Sequence, residues 1–316
     1  MKAIMYHYVR PDDPARPFFR HLHLDDFRSQ LDWLGKNYGF VEKSEFLAVT
    51  GGASVPRNGV ILTFDDGLAD HHRYVLPELE ARGLWGIFYV PTGFYRTGRM
   101  LDVHRVHQLL GCHGGVFMSE ALQEIIEPSM LAHAHVEEFR STTYLHQSND
   151  EATTAFKRTL NYFVDAKYRD GVLDALENNF SSCSQSSQEL YMSKKEVKDI
   201  YDRGMIIGSH SVNHRVMSLL TPDEQALEID DSFAILEKVI GAELSPRSFC
   251  YPYGGFHTFT AATEQLLAMA GCRFSFNVEP RDINVSDVAE RPQALPRYDC
   301  NMFPFGQCRP HSAPPN

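Results

Sequence analysis

Three short segments concentrate residues that could work on a divalent ion or an acyl group. The first, TFDDG at residues 63–67, sets two adjacent carboxylates at the end of an apolar run. Like charges this close raise each other's pKa, and neither stays ionised cheaply without a cation or hydrogen-bond donors. A metal would resolve that cost, and Gly67 would allow a sharp turn through which Asp65 and Asp66 address one pocket. A plain DDG turn closing a strand fits the same letters. The second segment, GSHSVNH at residues 208–214, spaces His210 and His214 by four. On a helical turn that spacing puts both imidazoles on one face, where they can share an ion, with Ser211 able to orient a neighbour. A chance pair competes, because the chain has 15 histidines in 316 residues. The third, SFCYPYGG at residues 248–255, sets Tyr251, Pro252, Tyr253 and Gly254 in a stiff aromatic turn whose backbone N–H groups can point into a pocket.

Side chains from separate segments converge only if each segment ends on a common rim, so the surrounding elements matter. Residues 2–8 and 59–65 are short apolar runs rich in β-branched and aromatic residues, the pattern of strands buried on both faces of a parallel sheet. Residues 85–90, 205–209, 248–253 and 272–278 repeat it, and helical patterns alternate with them. Leu24, Phe27, Leu31 and Leu34 share one face after the first run, and HHRYVLPELEARG follows the second and stops at a glycine. Ser193 with Glu196, and Thr221 with Pro222 and Glu224, open two further helices that stop at Gly204 and Gly241. The longer of these carries Leu227, Phe233, Leu236 and Ile240 among its apolar positions. Repeated β-α units with short loops predict a parallel α/β fold. All three motifs then fall at C-terminal strand ends, the rim where active sites of such folds collect.

The rhythm breaks across residues 99–189, which are rich in His, Ser, Glu and Asn and show helical apolar spacing at Val106, Leu109 and Leu110 and at Phe156, Leu160 and Phe163. This predicts a mostly helical insertion, a lid or subdomain, within a single domain spanning residues 1–316. The formal charge of 30 − 41 = −11, with no basic tract, excludes a nucleic-acid or anionic-membrane partner. With 43% hydrophobic and 22% charged residues, the composition is that of a folded soluble protein rather than a disordered chain. No apolar window is long enough for a membrane span, and the opening MKAIMYHYVRPDDP lacks the apolar core of a secretion signal. The six cysteines (Cys112, Cys183, Cys250, Cys272, Cys300, Cys308) are sparse and form no C-x-x-C pair. They predict reduced thiols in a cytoplasmic protein, with a Cys300–Cys308 bridge as the lesser alternative. Among the remaining histidines, His71 and His72 are expected in a solvated first helical turn, and His104, His107, His133 and His135 on the surface of the insertion.

In this order, TFDDG, HSVNH and the PYG turn resemble the polysaccharide deacetylases of carbohydrate esterase family 4, the NodB homology domain. The resemblance spans the chain apart from the insertion, and it is the combination of motifs that is specific. It implies a distorted, incomplete (β/α) barrel that hydrolyses, with a metal, an N-acetyl or other N-acyl amide on a sugar. It further implies Asp65 as general base, Asp66, His210 and His214 as metal ligands, and the Tyr253 backbone N–H as support for the oxyanion, with Tyr251 and Tyr253 as the substrate contacts. Three protein ligands leave coordination sites open, as in catalytic zinc sites, so Zn²⁺ is the expected ion, although cobalt, nickel or iron would accept the same ligands.

The sequence departs from the family pattern in two places. The third motif usually carries an Arg two residues before its Pro, holding the base aspartate; Cys250 stands there, and Arg297 in ALPRYD is the candidate replacement. The usual C-terminal general-acid histidine is not evident either, since the only histidine beyond residue 290 is His311. The opening MYHYV and the late L-P-R resemble a subgroup of exopolysaccharide deacetylases with a Y-H pair on the first strand and a circularly shifted motif order. That resemblance implies His7 as the acid that protonates the leaving amine.

The expected substrate is an N-acylated amino sugar or a nucleotide- or lipid-linked glycan precursor made for a surface glycan. Two further readings remain: an amidohydrolase or deacylase acting on a small non-sugar amide or imide, and a catalytically silent glycan-binding protein, the latter motivated by the missing Arg at position 250. The pattern carries no signal for an oligomeric state.

Overall fold

The structure is a computed structural model that describes residues 1–132, 136–143, 149–180 and 185–309. It divides into two compact units. One is built from Met1–Pro11, His21–Arg99 and Ser187–Arg309, the other around Asp12–Arg20 and Met100–Ser186. The three motifs belong to the first.

At the centre of that unit is a seven-stranded sheet: β1 (Lys2–Tyr6), β2 (Val60–Phe64), β3 (Gly86–Val90), β4 (Ile206–Ser209), β5 (Ser248–Cys250), β6 (Phe274–Phe276) and β7 (Tyr298–Asp299). The order is β6-β5-β4-β3-β2-β1-β7, with every pairing parallel. The sheet curls into a half-barrel with helices around it. Leu295 bridges Phe276 on β6, while Tyr298 and Asp299 pair with Ile4 and Met5 on β1, so one short segment touches both edges. This is the distorted, incomplete (β/α) barrel that the resemblance implies. The last strand escapes a reading by apolar runs because it has only two residues.

Pleat parity decides which side chains enter the barrel. Successive residues of a strand face opposite sides. Ala3, Ile61, Ile87, Tyr89, Ile206, Cys250, Phe274, Phe276 and Leu295 form the inner cluster, whereas Ile4, Tyr6, Leu62, Phe64, Phe88, Val90, Ile207 and Phe249 pack outward against the helices. Continuing the inner register past each strand end leads from Ile61 through Thr63 to Asp65, and from Ile206 through Gly208 to His210. Gly208 is needed here, because a Cβ would lie 2.4 Å from the Tyr89 ring.

The helices obey their sequence signals. Ser193 and Glu196 cap Lys194–Asp202 reciprocally, Thr221 and Glu224 do the same for Pro222–Ile240, and the latter ends at Gly241 in a left-handed conformation. Leu227 departs from its expected place and is 61% exposed, while Gln225, Glu228 and Ser232 occupy the buried stripe instead. The segment after β2 also differs from a regular helix: His71–Val75 is one π-helical turn leading into Leu76–Ala81. That turn buries His71 completely and leaves His72 partly exposed against Asp199, so only His72 keeps the solvated place expected of both.

In the second unit, Val106, Leu109, Leu110, Met118, Leu122, Phe156, Leu160, Leu173 and Leu176 form a core between helices that include Asp102–His113, Gly115–Ile125, Glu151–Arg158 and Ala166–Phe180. Phe19 seats its ring at Gly111, where any side chain would collide with it. His104 is buried rather than on the surface, His107 is partly exposed, and His133, His135 and His311 lie outside the described residues. Cys112 is disulfide-bonded, whereas Cys250, Cys272, Cys300 and Cys308 form no disulfide. Both cysteine expectations are thereby corrected: the thiols are not all reduced, and Cys300 and Cys308 are not bridged. Among the described residues no helix is long and apolar enough to cross a membrane.

Candidate active site

Asp65 follows β2 directly and takes up the ladder with β1, its N–H donating to the Tyr6 carbonyl at 2.9 Å. Its side chain is buried with Arg297, which closes on it in a fork: Nη1 donates to Oδ1 at 2.8 Å and Nη2 to Oδ2 at 2.7 Å. Nη1 also donates to Thr63 Oγ1 at 3.0 Å and Nη2 to Cys250 Sγ at 3.0 Å. Arg297 sits between Leu295, bridged to β6, and Tyr298, paired to β1, which is why a residue so distant in sequence arrives inside the barrel. Burial alone would push the Asp65 carboxyl up. The charges of Arg297 and His210 outweigh it and hold the group below the usual carboxylate range. Burial pushes the Cys250 thiol up, so the residue next to this pair is a neutral SH.

By parity Asp66 would point away from the barrel. It does not, because its backbone is left-handed, with φ of 80°. The turn that brings two consecutive carboxylates to one rim therefore begins at Asp66 itself, and Gly67, with φ of 61°, continues it. Ser211 (φ 64°), His214 (φ 54°) and Tyr253 (φ 64°) are left-handed as well. Four of the five non-glycine residues in this region among the described residues thus belong to the three motifs, where surrounding structure must hold the strain.

His210 and His214 meet through a bent loop after β4 and not, as the spacing suggested, on a helical turn. The His210 Nδ1–H donates to the Cys250 carbonyl at 2.7 Å, which leaves Nε2 free of a proton in the neutral ring. The two Nε2 atoms are 3.2 Å apart, and each is 3.4 Å from Asp66 Oδ1. A cation bound at the usual Zn–N and Zn–O distances of about 2.0–2.1 Å in tetrahedral geometry needs ligand atoms ~3.3–3.4 Å apart. The triangle in the protein has that size, all three residues are buried, and their donor set is the two-imidazole, one-carboxylate kind that suits zinc and its neighbours.

The loop carrying these histidines is held from several sides. Ser211 Oγ accepts from the His214 N–H, and Thr92 and Gly93 donate their N–H groups to the carbonyls of Ser211 and Val212. Glu228, on the helix Pro222–Ile240, accepts the N–H groups of Val212 and Asn213 at 2.8 Å each and the Asn213 side-chain amide at 2.6 Å. The sequence reading missed Glu228; its signal was a carboxylate on the buried stripe of a helix.

The remaining candidates divide. Tyr253 lies beside the triangle, its ring edge-on to His214 at 4.8 Å between centroids. His7 is one residue past β1, partly buried, and close enough for its charge to influence Asp65. Tyr251 does not join them. Its ring is 1% exposed and stacked on Phe259 at 3.8 Å, and its hydroxyl donates to the Gln293 carbonyl. The expected substrate contact is thus not open to its side chain, because it occupies an outward parity position inside the core. His71, expected in solvent, lies beneath His7 and donates from Nε2 to the His7 carbonyl at 3.0 Å.

A sequence profile of the polysaccharide deacetylase family matches residues 139–275. No curated protein matches the chain. Among solved structures it is similar to the deacetylase PplD of Streptococcus pyogenes in complex with acetate, with a TM-score of 0.59 and 17% identity over 98% of both chains. It is also similar to IcaB from Ammonifex degensii, with a TM-score of 0.54 and 19% identity over 94% of this chain and 90% of that one. A de-N-acetylase from Aggregatibacter actinomycetemcomitans gives 0.53 and 15%, over 94% and 93%. At these identities the likeness is one of fold.

Proposed function

We propose that this chain is a metal-dependent polysaccharide deacetylase that removes an N-acetyl group from an amino sugar. The observation that carries the reading is the Asp66, His210 and His214 triangle, sized for one cation, beside a buried carboxylate clamped by an arginine. The family match over residues 139–275 supports it. A divalent cation held by these three residues, Zn²⁺ foremost, would supply Lewis acidity that polarises the acyl carbonyl and acidifies water.

The chain's own residues do the rest. Asp65 is the general base. Its two oxygens each accept one N–H from Arg297, and Oδ2 also accepts the Cys250 thiol at 3.5 Å, which leaves Oδ1 a lone pair to accept a proton from the attacking water. As the water oxygen bonds to the acyl carbon, the carbonyl oxygen gains charge that the Tyr253 backbone N–H stabilises. His7 gives a proton to the amide nitrogen as the C–N bond breaks, yielding free amine and acetate. His7 in this role, one residue past the first strand, supports a kinship with the Y-H subgroup of shifted motif order.

Arg297 on Asp65 also removes the motive for a catalytically silent protein, since the arginine missing at position 250 is supplied from another segment. The substrate is a glycan carrying N-acetyl groups. The test is acetate release from a panel of N-acetylated amino-sugar oligomers, with and without Zn²⁺ and a chelator. Release that depends on the ion is the expected result; none across the panel, or release only from small non-sugar amides, would overturn the reading.

A further inference from the structure

We infer that His71 is a positioning residue for His7: it anchors the backbone of the proton donor from beneath the rim. The inference rests on the role given to His7 above. A carbonyl can only accept, so the 3.0 Å contact between His71 Nε2 and the His7 oxygen places the ring proton on Nε2. The ring is completely buried, and its centroid lies 5.7 Å from that of Phe64 and 5.9 Å from that of Phe88. Burial pushes its pKa down to about 4, so at neutral pH it is a neutral donor whose hydrogen bond does not change as the site titrates.

The local backbone explains how the histidine arrives there. The π-helical turn His71–Val75, in which the Leu76 N–H bonds back to the His71 carbonyl, holds an extra residue relative to an α-turn. It turns His71 inward and His72 outward to Asp199. His7 itself stands just beyond β1, where the ladder with β2 has ended in the bond between the Asp65 N–H and the Tyr6 carbonyl. The tie from His71 therefore continues to fix the chain one residue past the sheet, at the point where a proton must be aimed at the leaving nitrogen.

The test separates positioning from general damage by the leaving group. An amide needs a proton on its nitrogen, whereas an activated aryl acetate such as 4-nitrophenyl acetate leaves without one. His71→Phe keeps the ring volume and removes the donor. It is expected to lower kcat for N-acetylglucosamine oligomers by about 10- to 100-fold, the scale of a displaced proton donor, while changing 4-nitrophenyl acetate turnover by no more than about twofold. His71→Gln, which restores an N–H donor, should recover most of the amide activity. Combining His71→Phe with His7→Ala should cost no more than His7→Ala alone. Equal losses on both substrates, or undiminished amide turnover, would overturn the inference. Should His71→Phe not fold, His71→Asn, whose amide is too short for the same reach, takes its place with the same outcomes. If the wild-type protein cleaves no amide, the functional reading fails, and the histidine ring NMR signals decide this inference alone: a displaced His7 signal in the variant supports it, and an unchanged one overturns it.

Discussion

Replacing Arg297 by Met tests the electrostatic centre of the site, since Met is of similar length and carries no charge. The wild-type guanidinium makes two charge-assisted hydrogen bonds to Asp65, at 2.8 and 2.7 Å, with side-chain exposures of 1% and 2%. Two such bonds contribute about 1.5–3 kcal/mol each. Breaking a buried pair by removing one partner costs about 3–5 kcal/mol, because an uncompensated charge stays behind. The two routes agree on a loss near 4 kcal/mol, about the mean of those ranges. The pH dependence follows from the sign of each shift. In the wild type the Asp65 pKa is depressed, so the pair's stability is present above the unfolded carboxylate range and lost as pH falls through the folded value. In the variant, burial is no longer opposed by Arg297 and the pKa rises above its unfolded value. The penalty is then full at neutral pH and disappears as pH falls and Asp65 takes up a proton. Urea unfolding at pH 7, 6, 5 and 4 should show a gap between the two proteins that is widest at pH 7 and narrows toward pH 4. The double variant Arg297→Met with Asp65→Asn should regain most of the stability, because a neutral amide needs no counter-charge. A gap that is constant with pH would refute this account.

Other substitutions address the division of labour around the triangle. Asp65→Asn should lower acetate release by about 10²- to 10⁴-fold while equilibrium dialysis still finds Zn²⁺ bound, since Asp65 is not part of the triangle; lost metal would make it a ligand. His214→Ala removes one corner, and elemental analysis of the purified variant should find its Zn²⁺ largely gone. Glu228→Ala takes the acceptor from the N–H groups of Val212 and Asn213 and should weaken metal affinity by about 10- to 100-fold, as loss of outer-shell support does. Unchanged affinity in a metal titration would mean that Thr92 and Gly93 suffice to hold the loop.

Six of the seven sheet strands were legible because each lies in a short apolar run, and two helices because capping boxes at Ser193 and Thr221 announce them. What failed to show was whatever depends on a partner distant in the chain. The π-helical turn that buries His71 leaves no mark in HHRYV, since the letters suit an exposed helix start equally well. Tyr251 and Tyr253 look alike in YPY, yet strand parity sends one into the core and a left-handed backbone brings the other beside His214. Glu228 could be noticed only as a misplaced charge on a buried stripe, without its acceptor role.

By itself, the sequence determined the residue types and the order of elements: acidic and imidazole groups at the ends of successive apolar runs, and hence a parallel sheet with a reactive rim. Those follow from local rules of periodicity, capping and turn chemistry, which act over a few residues. Only the tertiary structure decided that the triangle has the span of one cation, that left-handed φ at Asp66 turns the second carboxylate to the same side as the first, and that Arg297 closes on Asp65 across 232 positions of chain. These depend on how the sheet curls until its edges share the segment Leu295 to Asp299, a property of the whole barrel that no local window contains.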